Sequence, residues 1–235
     1  MRVDRERRPQ ELRRRVQVLE AALQVIGSRG LAKTRMSDIS ARAGMSSGHV
    51  LYYFKTKDMV LMEALRFVED EIHETAEREL PAVAAGPKRL EALLKLNLPE
   101  GPGDPRWMLW LESWTLAPHD SQVAGLTSDL DRRWIGLLAR VIREGVDAGA
   151  FACDDPDAFA GRFSALFDGL AVQVVTGSHR RTPQSALRAC LAAAGPELGF
   201  RPKGGESGHR DDIQLHCHLC QGQDVLEVIQ DVRWN

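Results

Sequence analysis

Apolar residues recur along the first third of the chain with a helical step. Leu12, Val16, Leu19, Leu23 and Ile26 follow one another at intervals of four, three, four and three, which is one apolar stripe on one helix. Pro9 suits the first turn of that helix and Gly30 its stop. The same reading predicts a short helix over about 36–43, ending at Gly44, another over about 47–53, and a long one from Lys57-Asp58 to about Leu80, ahead of Pro81. Residues 81–87 read as a hinge. Further helices are predicted at about 88–97, 105–117, 121–148, 155–177 and 183–194, with a Pro/Gly-rich loop from Asn97 to Pro105. No useful stretch alternates with period two, so the fold class is all-α. From Arg201 the pattern fades. Gly204-Gly205-Glu206-Ser207-Gly208 reads as a linker, and 201–235 as a flexible tail.

A chain of 235 residues with 43% apolar content can fill one small and one medium core. No apolar run reads as a membrane span, so no membrane partner is expected. The N-terminus is charged, with no apolar stretch after it, so a secretory leader is not expected. Four scattered cysteines form no disulfide framework, and a reducing cytoplasm is the simplest setting. The net charge of −2 hides an asymmetry: residues 1–60 carry 13 Lys/Arg against 6 Asp/Glu, the remainder 18 against 27. A basic end joined to an acidic one points to a polyanionic partner at the basic end, or to a solvated Arg-rich helix.

The stretch from Thr34 to Asp58 decides between these. Met36, Ile39, Ala43, Met45 and Val50 can form the small core between two crossed helices, and Gly44 allows the tight turn between them. Ser46 can cap the second helix. That helix then presents Ser47, Gly48, His49, Tyr52 and Tyr53, small or hydrogen-bonding residues fit for a DNA groove. Phe54 reads as core. The pattern Ile39…Ala43-Gly44-Met45-Ser46…Gly48…Tyr53-Phe54…Lys57, after an amphipathic first helix, resembles the TetR/AcrR family. The match is specific over about residues 10–65 and looser, as helix count and length, to about residue 200.

The resemblance implies a three-helix helix-turn-helix DNA-binding domain over 1–57. A long linking helix over about 57–80 then leads into a helical ligand-binding and dimerisation domain over 58–200. It implies contact of Ser46, Ser47, Gly48, His49 and Tyr52 with bases or nearby phosphates. It also places Arg35 and Ser37 at the DNA backbone, and Tyr53 and Lys57 on phosphates. Arg35 stands where many relatives have Thr, which leaves the cap of that helix open, with Thr34 beside it. Leu51 stands where many have Tyr.

In the second domain Trp107, Trp110, Leu111 and Trp114 share one helix face, and Trp134, Phe163 and Phe167 lie on later helices. Such a stripe is either plain core or the wall of a ligand pocket, and the resemblance, loosely to the BetI-type branch, favours a pocket. Glu112 and Asp168 are the carboxylates that could pair there with a cation, so the expected effector is apolar or cationic. Gly161, Ala165 and Gly169 form a small-residue stripe on the helix over 155–177. With Leu187 and Leu191 they mark a homodimer interface, or else packing inside one subunit. His216, Cys217, His218 and Cys220 lack a distant second ligand pair, so no metal and no cofactor are expected. No phosphate loop or nucleophile elbow is present, and the chain is not expected to be an enzyme. The leading expectation is a ligand-responsive regulator, most often a repressor, that binds a pseudo-palindromic double-stranded DNA operator as a dimer. A DNA-binding protein without an effector, and a small-molecule carrier, are the alternatives.

Overall fold

The computed structural model describes residues 3–202, with side chains from residue 10 onward. The described residues form nine α-helices: α1 (Val3–Arg29), α2 (Met36–Arg42), α3 (Ser47–Tyr53), α4 (Lys57–Glu79), α5 (Pro87–Asn97), α6 (Pro105–Leu116), α7 (Ser121–Asp147), α8 (Pro156–Val175) and α9 (Pro183–Leu198). The all-α reading therefore holds. The expected tail and its His/Cys cluster lie outside the described residues.

Most starts follow from side-chain chemistry. Proline opens α5, α6, α8 and α9, where its missing N–H has no partner to lose. Asp104, Asp120 and Asp155 accept the first backbone N–H groups of α6, α7 and α8, as Ser46 and Thr56 do for α3 and α4. Two ends differ from the predicted ones. The first helix begins at Val3, so Pro9 lies inside it; the Arg and Glu residues around Pro9 are strong helix formers. The last helix runs past Pro196 to Leu198 and stops at Gly199, which adopts a left-handed φ of 74°.

Two hydrophobic cores divide the chain. One joins α1, α2, α3 and the first half of α4, and includes Ile26, Ile39, Val50, Phe54, Leu61 and Leu65. The other joins α5, α7, α8 and α9, and includes Leu93, Leu138, Phe167 and Val174. Helices α4, α6 and α7 belong to both: Ala76 of α4 enters the second core, and Leu126 and Leu130 of α7 enter the first. Leu109 and Trp110 enter the first core, Trp107 the second, and Trp114 packs against each. By length and composition α8 is apolar enough to cross a membrane, which the sequence reading did not find. Half of its most apolar stretch is buried, and it packs against α6, α7 and α9.

The joint between α1 and α6 depends on a missing side chain. A Cβ on Gly27 would sit 2.6 Å from Cβ of Pro105, far inside contact distance. Gly27→Leu should therefore wedge α1 from α6 at a cost of about 1–3 kcal/mol, visible as a lower melting temperature. Gly125→Ala on α7 is the control, because a Cβ there meets nothing within 4 Å. It should leave stability unchanged or raise it by about 0.5–1 kcal/mol.

Candidate functional site

The turn between α2 and α3 is built as its sequence requires. Gly44 has φ of 63°, and Met45 N–H returns to Ser40 O at 2.9 Å. Ile39, Ala43 and Val50 are buried beneath it, and Phe54 is core. The start of α2 resolves the question raised by Arg35. Thr34 is buried and spends its hydroxyl on Gly30 O at 2.8 Å. Asp38 instead reaches back and accepts Arg35 N–H at 2.9 Å. Arg35 and Ser37 stay exposed.

The outer face of α3 carries exposed Ser47 and Gly48, half-buried His49, and Tyr52 at 74% exposure. Tyr53 is a packing platform for its neighbours. The His49 ring stacks on it at 5.8 Å and 7°, and the Tyr52 ring meets it edge-on at 5.2 Å. Arg14 of α1 bonds to Nε2 of His49 at 3.2 Å. The ammonium of Lys57 donates to Leu31 O at 3.1 Å. That uses one of its three donors and leaves two for a phosphate.

Leu31 is also held from α6. Its N–H donates to Oε1 of Glu112 at 3.0 Å, and the same oxygen would lie 2.8 Å from a Cβ on Gly30. This corrects the expected role of Glu112. It sits two residues from both Trp110 and Trp114, about 200° around the helix, so it points at α1 and not at the tryptophans.

The carboxylate that does meet the rings is Glu69 of α4, which sequence reasoning missed. It is 2% exposed, and Oε1 accepts from Trp110 Nε1 at 2.7 Å. Its signal was present: Leu65, Glu69, Ile72 and Ala76 step by four, three and four, which puts an acid on an apolar stripe. Burial pushes its pKa up to about 7 against the Trp110 hydrogen bond. Asp168 of α8 is also raised to about 7, by burial first and then by the charges of Asp131 and Glu69. Burial raises Asp131 of α7 as well. Three acids from three helices thus converge closely enough for their charges to interact.

Aromatic rings of α6, α7 and α8 pack on one another next to Glu69. Trp107 lies 6.2 Å from Trp114 and 6.0 Å from Phe167, Trp110 lies 5.5 Å from Trp114, and Trp134 lies 5.3 Å from Phe167. Trp107 spends its indole N–H on Asn97 O at 2.8 Å, whereas Trp134 Nε1 and the Ser113 hydroxyl are buried with no partner. Leu111 packs on the same core. Phe163 stacks with Phe159 at 5.3 Å. On the opposite side of α8, a Cβ at Gly161 or Gly169 would meet nothing, Ala165 is exposed, and Leu166 is 40% exposed. Leu187 and Leu191 are half-buried against the chain's own core.

A helix-turn-helix with a polar outer face, fixed to a helical domain with an acid-and-aromatic interior, defines a one-component transcriptional regulator. The chain belongs to the TetR family. The family model for bacterial regulatory proteins of the tetR family matches residues 18–64, and that for the C-terminal domain of BetI-type transcriptional repressors matches residues 87–198. The HTH-type transcriptional regulator BetI of Rhizobium meliloti is 27% identical over 164 residues, covering 68% of this chain and 77% of that protein. BetI of Paraburkholderia xenovorans is 28% identical over 177 residues, covering 74% and 88%. Among solved structures, a transcriptional regulator from Saccharomonospora viridis, in complex with choline, is 33% identical with a TM-score of 0.68. The match covers 75% of this chain and 92% of that one. A TetR-family regulator from Rhodococcus sp. shares the fold at a TM-score of 0.67 and 22% identity, over 79% and 98%. The protein is thus a DNA-binding transcriptional regulator and not an enzyme.

Tyr52→Ala should leave the melting temperature unchanged, because the ring is exposed, and weaken binding to the specific operator by about 1–3 kcal/mol in a mobility shift. Equal affinity in the variant would remove Tyr52 from the DNA surface. Glu112→Ala should leave Leu31 N–H without its partner and cost about 1–3 kcal/mol of stability, whereas Glu112→Gln keeps an acceptor and should cost less.

Proposed function

We propose that the protein is a dimeric repressor whose operator grip is released by a small organic cation. The observation that carries the reading is Glu69: a carboxylate buried among tryptophans, hydrogen-bonded to Trp110 and joined by Asp131 and Asp168. Among aromatic rings, an acid cluster of this kind is complementary to an ammonium or quaternary ammonium group. The ring faces attract the cation and the carboxylates neutralise it. The choline held by the Saccharomonospora viridis regulator supports the same chemistry. Trp107, Trp110, Trp114, Trp134 and Phe167 are the proposed walls, with Leu111 and Phe163 as supporting core, and the unpartnered Trp134 N–H and Ser113 hydroxyl are groups a ligand oxygen would satisfy.

In this reading residues 1–57 bind DNA and 58–200 sense and dimerise. Arg35, Ser37, Tyr53 and Lys57 hold the DNA backbone, while Ser46, Ser47, Gly48, His49 and Tyr52 lie along the groove. Two copies pair through the open outer face of α8, with Leu187 and Leu191 of α9 at its edge. They present two α3 helices to half-sites about one helical turn apart on a pseudo-palindrome. The cytoplasm, where the DNA is, is the place of action. Because Gly169 and Ala165 face open space, Gly169→Leu and Ala165→Leu should leave each subunit folded and shift sedimentation from dimer to monomer. Retained dimers would place the interface elsewhere.

The cation site sets a pH dependence. Glu69 and Asp168 must ionise to hold a cation, and each is raised to about 7. Choline affinity, read by tryptophan fluorescence, should therefore rise from pH 6 to pH 8, by about tenfold for each group that must lose a proton. In the free protein the sign is opposite. The folded state binds more protons than the unfolded one, so the contribution of these acids to stability is fully present below the unfolded values of 4.5 for Glu69 and 3.8 for Asp168, and is lost as pH rises through about 7. Glu69→Gln keeps an acceptor for Trp110 and removes the charge. It should hold or raise the melting temperature at pH 8 and abolish choline-induced release of DNA. Release that persists in Glu69→Gln would overturn the site.

A further inference from the structure

We propose that Arg14 of α1 sets what the recognition helix can read. By donating to Nε2 of His49, it fixes the imidazole with its proton on Nδ1, so that His49 offers DNA a hydrogen-bond donor. The inference rests on the reading of α3 as the DNA-facing helix.

A guanidinium has donors only and keeps its charge at any ordinary pH. The 3.2 Å contact between Arg14 Nη1 and His49 Nε2 is therefore a hydrogen bond only if Nε2 carries a lone pair. A neutral imidazole has one proton, which must then sit on Nδ1. An imidazolium would have no acceptor for Arg14 and would set two positive charges side by side. The ring cannot turn freely to escape this choice. It lies nearly parallel to Tyr53, 5.8 Å away, and Tyr53 in turn meets the buried Phe54 at 6.5 Å. The His49 backbone N–H is tied to the Ser46 hydroxyl at the helix start. Arg14 lies 35 residues away on a different helix, so the tautomer is fixed by tertiary packing and not by the recognition helix itself.

The consequence is specific. In the major groove guanine presents two acceptors, O6 and N7, thymine O4 and adenine N7 one each, and cytosine only an amine donor. With its proton on Nδ1, His49 favours an acceptor edge, guanine above all, and disfavours the cytosine amine. Arg14 touches the reading residue and need not touch the base, so it is a positioning residue.

The test uses the full chain with 15N-labelled histidine and a duplex selected by that protein from a randomised library. Long-range 1H–15N spectra of the free protein at pH 8 should show Nδ1 protonated and Nε2 bare. Arg14→Met should mix or invert this pattern, and Arg14→Lys, another donor-only side chain, should restore it in part. A protonated Nε2 in the native protein, or an unchanged pattern in Arg14→Met, would refute the proposal without any DNA. On the selected duplex, single-base changes under α3 should reveal one position where guanine is favoured about three- to tenfold, the range of one hydrogen bond. His49→Ala and Arg14→Met should each flatten that preference, and the double variant should flatten it no further. Preference retained in Arg14→Met would also overturn the proposal. If instead Tyr52→Ala and His49→Ala both leave all DNA binding untouched, the assignment of α3 as the reading helix fails, and the spectra still decide the tautomer.

Discussion

The structure turns on α6, which with α4 and α7 is shared between two cores. Trp107 and Trp110 are three residues apart on α6, yet the first is buried with the sensor helices and the second with the DNA-binding ones. Neither core closes without it. Protein interiors pack as densely as organic crystals and deform little. A change in what surrounds Trp107 or Trp110 therefore cannot be absorbed locally. It must be shared with the helices around Leu109 and Ile26. The bare backbone of Gly27 against Pro105 makes this sharing close, since nothing compressible lies between α1 and α6 there.

The same arrangement accounts for the electrostatics. An acid buried as deeply as Glu69 would ordinarily be unfavourable without a cation. Here Trp110 supplies one hydrogen bond, and a raised pKa lets the carboxyl keep its proton when no cation is near. Arg106 lies close enough to lower that pKa slightly, yet it is committed elsewhere: it is buried, bonds to Leu96 O and Leu98 O at 3.3 Å each, and pairs with Asp104. Arg133, the other cation that lowers that pKa, pairs with Asp70 at 2.7 Å. In the proposed reading these commitments leave the acids to an incoming cation.

Much of this was legible in the sequence. The helix-turn-helix was legible in Ile39, Gly44, Ser46 and Phe54, because their spacing supplies the small core, the turn and the cap and resembles the TetR/AcrR pattern. The aromatic stripe of α6 followed from spacing alone. Glu112 was misplaced because an i, i+3, i+4 face tells which residues share a side, but not which way a lone acid between them turns. Glu69 was missed because a single carboxylate in an otherwise apolar stripe of α4 looks like the edge of the stripe until another helix covers it. The Arg14–His49 contact and the Leu31–Glu112 contact were beyond reach, since each joins helices whose crossing angle only the packed structure supplies.

The N–H of Leu31 is satisfied by Glu112, and its carbonyl accepts from both Lys57 and the Thr34 N–H of its own turn. Leu31 itself is buried. If α6 shifts, leaving that N–H behind would strand a donor away from water, so the turn travels with the helix. In the proposed reading, with α2 at the phosphate backbone and α3 at the bases, the first part of the DNA-binding domain to feel the sensor is the approach to α2. On that reading, occupancy of the sensor governs how firmly the protein sits on any DNA, while the sequence it prefers stays the same.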